Sequence, residues 1–232
     1  MPSPSDSKKI VLVNSLYPDG LTTGMVYEYY QENKERILKE IDNRPIITFM
    51  GFESYIPLVV RRNIKGELIR LNSSNYDDVI SGYTISLSSE TPDPTDYVVI
   101  DVDPKSGTTD KYMEVHVLNP IINILGKMHL GHAIHKFRVT TSAKGFHLYV
   151  DLAKVVDINF AREMIIEELS RIKPFFPFDI NDKNGSMPVN LDLSPMYKRG
   201  SVTVPWALNR DGSICKDVTK KYENFNRKLN HI

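Results

Sequence analysis

One cysteine, Cys215, stands among the 232 residues. That excludes an internal disulfide and any zinc or iron–sulfur centre built on grouped cysteines. No apolar run approaches the roughly 20 residues that cross a bilayer, so no membrane anchor is expected. Residues 1–10 lack the apolar centre of a signal peptide; they are expected to form a disordered tail, and the compartment to be cytoplasmic. Charge of one sign is missing too, with 29 basic against 29 acidic side chains and a net charge of zero. That argues against a protein that coats nucleic acid through bulk charge, because such affinity grows with the phosphates neutralised. It does not argue against a local basic groove. The 41% hydrophobic and 25% charged content is that of a soluble globule. Residues 11–232 suffice for one catalytic domain, as a single body or two packed lobes.

What the chain does carry is a set of acids and a basic hairpin. Val98-Val99-Ile100-Asp101-Val102-Asp103-Pro104 is an apolar run with two acids two positions apart. Residues two apart in a strand share a face, so Asp101 and Asp103 project together while Ile100 and Val102 bury. Thr140-Thr141-Ser142-Ala143-Lys144-Gly145-Phe146-His147-Leu148-Tyr149-Val150 follows, two β-rich stretches joined by a polar turn. There His147 and Tyr149 face one way, and Phe146, Leu148 and Val150 the other. A third acid, Asp192, lies in Val189-Asn190-Leu191-Asp192-Leu193. Clustered carboxylates suit two divalent cations about 3.5–4 Å apart, the arrangement used in phosphoryl transfer. Lys144 and His147 supply donors for a polyphosphate. Taken singly, each feature also fits a solvated strand edge or an ion pair; the order of all three gives the chemical reading its weight. The segment at Asp101 also resembles a haloacid-dehalogenase opening, but Pro104 and Lys105 stand where that motif has Gly and Thr, which argues against it.

The remaining pattern predicts helices among hairpins, an α+β class. Thr22 or Thr23 caps a predicted helix to about Ile41, with Val26, Tyr30, Ile37 and Ile41 on one face. Strands are predicted at 46–50, 56–61, 67–71 and 97–102, and a helix near 111–129. A further helix is predicted over 159–172, with Ala161, Ile165, Leu169 and Ile172 inward. His129, His132 and His135 recur every three residues, but Gly131 breaks the stretch, which predicts a loop-to-strand transition. Basic residues cluster at Arg61, Arg62, Lys65 and Arg70, at Lys198 and Arg199, and in the carboxyl-terminal tail.

The chain resembles the archaeo-eukaryotic primase-type polymerases, most of all the polymerase domain of bacterial ligase D and its stand-alone archaeal relatives. That family carries D-x-D, a hairpin S-x-x-K-G-x-H and a lone Asp. Asp101 and Asp103 match the first; Lys144, Gly145 and His147 the second; Asp192 the third. Flanking segments run in the same order: Asp19-Gly20-Leu21-Thr22-Thr23-Gly24 before Tyr29-Tyr30, Arg44-Pro45, Pro92-Asp93-Pro94-Thr95-Asp96, and Arg199-Gly200-Ser201-Val202-Thr203-Val204-Pro205-Trp206. The resemblance spans residues 17 to 220. Departures are Thr23 for the Lys that would grip a DNA 5′-phosphate, and Met50 for a basic residue. The hairpin hydroxyl is either Thr141 or Ser142.

This resemblance implies a primase-polymerase-like core whose mixed and antiparallel sheets form the active-site cleft, flanked by helices. It implies template-directed addition of nucleotides to a primer 3′-hydroxyl, as in gap and end filling during break repair. Asp101, Asp103 and Asp192 would hold two Mg²⁺ or Mn²⁺ ions. Thr141 or Ser142, Lys144, His147, Arg210 and Arg61 would bind the nucleoside triphosphate, and Arg62, Lys198 and Arg199 the DNA. Expected partners are primer-template or broken DNA ends, with a separate ligase and an end-binding protein, the chain itself being monomeric. Alternatives are a primase that starts chains de novo, a non-catalytic nucleic-acid-binding module in which the acids form ion pairs, and a metal phosphohydrolase.

Overall fold

In a computed structural model of the chain, the residues described are 22–41, 44–50, 58–60, 65–80, 84–127, 134–197 and 200–222. In chain order the elements are α1 (Thr23–Glu32), α2 (Lys34–Ile41), β1 (Ile46–Met50), β2 (Leu58–Val60), α3 (Tyr76–Val79) and β3 (Thr84–Glu90). There follow β4 (Thr95–Pro104), α4 (Asp110–Met113), α5 (Asn119–Lys127), β5 (Ile134–Thr141), β6 (Phe146–Val156) and α6 (Ile158–Ile172). The order closes with β7 (Phe178–Ile180), β8 (Val189–Asp192) and β9 (Ser201–Thr203). Contacts divide the chain into two compact units, Met1–Glu90 with Ser201–Lys216, and Thr91–Gly200 with Asp217–Ile232.

The first unit holds an antiparallel sheet ordered β2-β1-β3-β9 among the described residues. Thr22 caps α1 through its hydroxyl, which accepts from the Met25 N–H. The predicted single helix is interrupted at Asn33, whose side-chain amide donates to the Tyr29 carbonyl. Val26, Tyr30, Ile37 and Ile41 nevertheless bury together with Ile46, Ile47 and Leu87, as their spacing requires. The predicted strand at 67–71 is not formed: there the backbone makes isolated bridges such as Pro45 to Arg70. Strand β3 was not foreseen, because Ser86, Ser88 and Ser89 hide a segment that is buried throughout.

The second unit holds the sheet β5-β6-β4-β8-β7, antiparallel except for the parallel pair β7–β8. One face packs its core: Val98, Ile100 and Val102 from β4, Phe146, Leu148 and Val150 from β6, and Val189 and Leu191 from β8. Helix α6 presents Ala161, Ile165, Leu169 and Ile172 to this core, the predicted stripe. Its N-cap is Asp157, whose carboxylate accepts from the N–H groups of Asn159 and Phe160. The predicted helix at 111–129 is three pieces: α4, a π turn at Glu114–Leu118, and α5. Pro120 has no N–H to donate back to His116, which relaxes the ladder at that point. No helix among the described residues is long and apolar enough to cross a membrane.

Candidate active site

With the even positions of β4 committed to the core, Tyr97, Val99, Asp101 and Asp103 project from the opposite face of the sheet. Register then brings the other groups to them. Asp101 stands opposite His147 on β6 and opposite Asp192 on β8, while Thr140 on β5 stands opposite His147. One row of the sheet therefore reads Thr140, His147, Asp101, Asp192, four polar groups drawn from four strands. In the next row Asp103 stands opposite Asn190.

The hairpin turn that delivers His147 is tightly built. The Ser142 hydroxyl accepts from the Gly145 N–H at 2.8 Å, and the Ser142 N–H donates to the Gly145 carbonyl at 2.8 Å. A Cβ at Gly145 would run into the Val102 carbonyl oxygen, so glycine is the residue that lets the hairpin lie against β4. Lys144 is exposed at the tip, and its charge bears on Asp103. Thr141 pairs with Phe146 and so shares the parity of the core face. The hydroxyl on the His147 face is Thr140, whose Oγ1 lies 3.2 Å from His147 Nδ1. Counting back from the turn would have found it, since a turn pairing 141 with 146 must pair 140 with 147.

His147 is buried, and burial pushes its pKa down to about 3, so the ring is neutral. Its Nε2 lies 3.8 Å from Asp101 Oδ1, beyond hydrogen-bond reach. Tyr149 flanks the ring edge-on at 6.5 Å and packs against Tyr97. Arg138 stacks over Tyr149 at 4.7 Å while its guanidinium forks onto Asp151 at 2.7 and 2.8 Å. Tyr149 is thus a buried wall of the site.

The acids repel one another. Burial, then the charges of Asp103 and Asp192, push the Asp101 carboxyl up to about 8. Its Oδ1 is buried and has no hydrogen-bond partner among the described residues. Burial also raises the Asp103 carboxyl. At Asp192 burial works upward, but the Ser194 N–H and hydroxyl and the Lys183 ammonium outweigh it, so this carboxyl is held below its usual range. Lys183 Nζ stands 3.3 Å from Asp192 Oδ2. Nothing in the loop Asn181-Asp182-Lys183-Asn184-Gly185 announces that contact, which depends on how β7 passes to β8. Among the described residues no three His, Cys, Asp or Glu side chains close into a ready coordination shell. The donors that converge are carboxylate oxygens, one of them buried without a partner, a set that fits a hard divalent cation.

Of the other residues picked from the sequence, Arg210 lies in the first unit, exposed, with its guanidinium 4.0 Å over the Phe49 ring. Arg61, Arg62, Lys198 and Arg199 lie outside the described residues, as do His129 and His132. His135 lies on β5.

No protein-family model matches the sequence, and no curated protein matches it either. Among solved structures, the chain is similar to the polymerase domain of Mycobacterium tuberculosis ligase D in complex with DNA. The TM-score is 0.74 at 14% sequence identity, covering 97% of this chain and 93% of that one. The two-sheet α+β architecture described above is therefore the fold of a ligase D polymerase domain.

Proposed function

We propose that this protein is a template-directed nucleotidyltransferase that extends a primer 3′-hydroxyl, filling gaps and ends in broken DNA. The observation that carries the reading is the row Thr140, His147, Asp101, Asp192 with Asp103 beside it, set on a polymerase-domain fold. Asp101, Asp103 and Asp192 would hold divalent cations, Mg²⁺ or Mn²⁺, which stabilise the attacking and leaving oxygens. The 3′-hydroxyl oxygen attacks the α-phosphorus of the incoming nucleotide in line; the new P–O bond forms as the bond to pyrophosphate breaks. Neutral His147, held through Nδ1 at Thr140, directs Nε2 toward the nucleotide phosphates. Lys144 at the hairpin tip adds a mobile positive charge for the same polyphosphate. Arg210, Arg61, Arg62, Lys198 and Arg199 remain proposed contacts to nucleotide or DNA.

The experiment is extension of labelled primers on gapped, overhanging and single-stranded templates, with ribo- and deoxyribonucleotides and with Mg²⁺ or Mn²⁺. Metal-dependent, template-matched extension of gaps and overhangs is the expected result. Dinucleotide synthesis on unprimed single strands would move the assignment to a primase. DNA binding that survives chelation, without incorporation, would reduce the chain to a binding module.

A further inference from the structure

Asn190 on β8 carries a donor that the fold leaves idle. The residue is 2% exposed, and its side-chain Nδ2 is buried with no hydrogen-bond partner among the described residues. Its Oδ1 is occupied, because the Asp182 N–H donates to it at 2.9 Å. A backbone N–H needs an acceptor, so that bond settles which arm of the amide is oxygen and which is nitrogen. A buried donor without an acceptor is costly, since the water it has left is not replaced. An oxygen alone would serve the Asp182 N–H, so the NH₂ arm calls for a separate explanation.

Strand β8 lies between β4 and β7, and Asn190 stands opposite an acid on each side, Asp103 on β4 and Asp179 on β7. Residues directly opposite share a face, which puts the amide on the face of the acid cluster. The two acids differ in what they need. Asp179 is already met by Lys105, Lys173 and the Met187 N–H. The oxygen arm of the amide is also turned to that side, because Asp182 lies just past the end of β7 at Ile180. The nitrogen arm is thereby turned toward β4. There burial and neighbouring charges act on Asp103, and no hydrogen bond from a described residue does. Opposite Cβ atoms lie about 4.5–5.5 Å apart, so an Asn amide spans to an Asp carboxylate with one change of rotamer. Buried as it is, the amide is out of reach of a nucleotide, which leaves Asp103 as its acceptor.

Building on the proposed function, we propose that Asn190 is a positioning residue for Asp103. Its amide hydrogens bind one oxygen of the Asp103 carboxylate and leave the other for the divalent cation. Through Asn190 the direction of that acid is tied to the Asp182 backbone. Groups behind a ligating carboxylate fix its orientation, and losing one commonly costs about 10–100-fold in metal affinity.

The test is titration of the full chain with Mn²⁺, followed by electron paramagnetic resonance, in a double-mutant cycle of Asn190→Leu and Asp103→Ala. Asn190→Leu, close in shape but without hydrogens to donate, is expected to weaken Mn²⁺ binding about tenfold. In the Asp103→Ala background the same change should cost less than about twofold, because the acid it serves is gone. A purely structural role would loosen β8, and Asp192 with it, at equal cost in both backgrounds. That outcome, or undiminished binding in Asn190→Leu, would overturn the inference. Should Asn190→Leu fail to fold, the unaltered chain carries the test. Its Asn190 side-chain amide proton resonances should shift when Mg²⁺ is added, and in Asp103→Ala they should not. An amide signal indifferent to Mg²⁺ overturns the inference as well. Asp101→Asn separates this failure from failure of the parent reading. Loss of Mn²⁺ binding in Asp101→Asn with no change in Asn190→Leu removes only the role of Asn190. Undiminished binding in Asp101→Asn removes the metal site itself, and this inference with it.

Discussion

Two acids in the same sheet make opposite use of burial. Asp179 on β7 is 5% exposed, and the chain supplies its counter-charges: Lys105 at 2.9 Å, Lys173 at 3.4 Å and the Met187 N–H at 3.0 Å. The Lys105 hydrogen bond leads in holding its carboxyl below the usual range. Asp101 on β4 is packed instead with two further acids, has a buried oxygen without a partner among the described residues, and is pushed up to about 8. The first arrangement stabilises the ionised carboxylate from within the fold. The second leaves a charge deficit that an external cation can fill. A buried acid that the chain has already neutralised builds structure, whereas one that it has left among like charges is available for chemistry.

Exchanging each residue for alanine should break the comparison most sharply. Asp101→Ala is expected to lower nucleotide incorporation about a thousandfold or more, since catalysis here is mostly charge stabilisation, while the protein stays folded. Asp179→Ala strands Lys105 and should cost about 3 kcal/mol of stability, with far less change in incorporation per folded molecule. Urea unfolding and primer extension on the same preparations check both. If the two variants lose activity in parallel with stability, the distinction between the two acids collapses.

Much of the site was legible because strand parity is a local rule. Asp101 with Asp103, His147 with Tyr149, and the apolar positions between them fall on the faces that alternation assigns. The stripe of α6 was legible for the same reason, at helical spacing. What escaped depends on distant or competing interactions. The helix break at Asn33 falls where the backbone turns to φ −102° and ψ 9° and the side-chain amide shares the Tyr29 carbonyl with the residue's own N–H, a local competition that periodicity does not encode. The segment at 67–71 has strand-like composition but meets its neighbours through isolated bridges rather than a ladder. Lys183 reaches Asp192 only through the β7–β8 connection, and no periodicity encodes that approach. Asp179 reads in sequence like any acid, because its partners Lys105 and Lys173 come from other elements.

The pH dependence of stability sharpens the contrast at a smaller scale. With Asp101 up near 8, the metal-free folded chain keeps a proton that the unfolded chain gives up above about pH 4, so rising pH removes stability across that interval. Buried His147, down near 3, has the opposite sign between about pH 3 and 6.5, where only the unfolded chain takes up the proton. The two offset each other from about pH 4 to 6.5. From about pH 6.5 to 8 His147 no longer opposes Asp101, Asp103 is raised in the same direction as Asp101, and stability should fall by about 1 kcal/mol per pH unit. Urea unfolding with a chelator at half-unit steps reads this slope. Asp101→Asn should flatten it, and Asp179→Asn should leave it unchanged, because that carboxyl titrates below this window.

The smallest expected effect concerns how a neutral ring is aimed. Thr140 and His147 are both buried, and their 3.2 Å contact engages Nδ1, which leaves Nε2 on the side of Asp101. Because the ring is neutral, its hydrogen-bonding direction depends on the tautomer that this contact favours. A single neutral hydrogen bond is worth about 1 kcal/mol, so Thr140→Val should weaken triphosphate binding by about fivefold while keeping the β-branched shape. Thr140→Ser, which keeps the hydroxyl, should restore most of that affinity. Nitrogen chemical shifts of the His147 ring supply the readout that loss of packing alone would not give: the valine variant should mix tautomers and the serine variant should not. A single unchanged tautomer in Thr140→Val, with undiminished triphosphate affinity, would show that the ring is aimed by its packing against Tyr149.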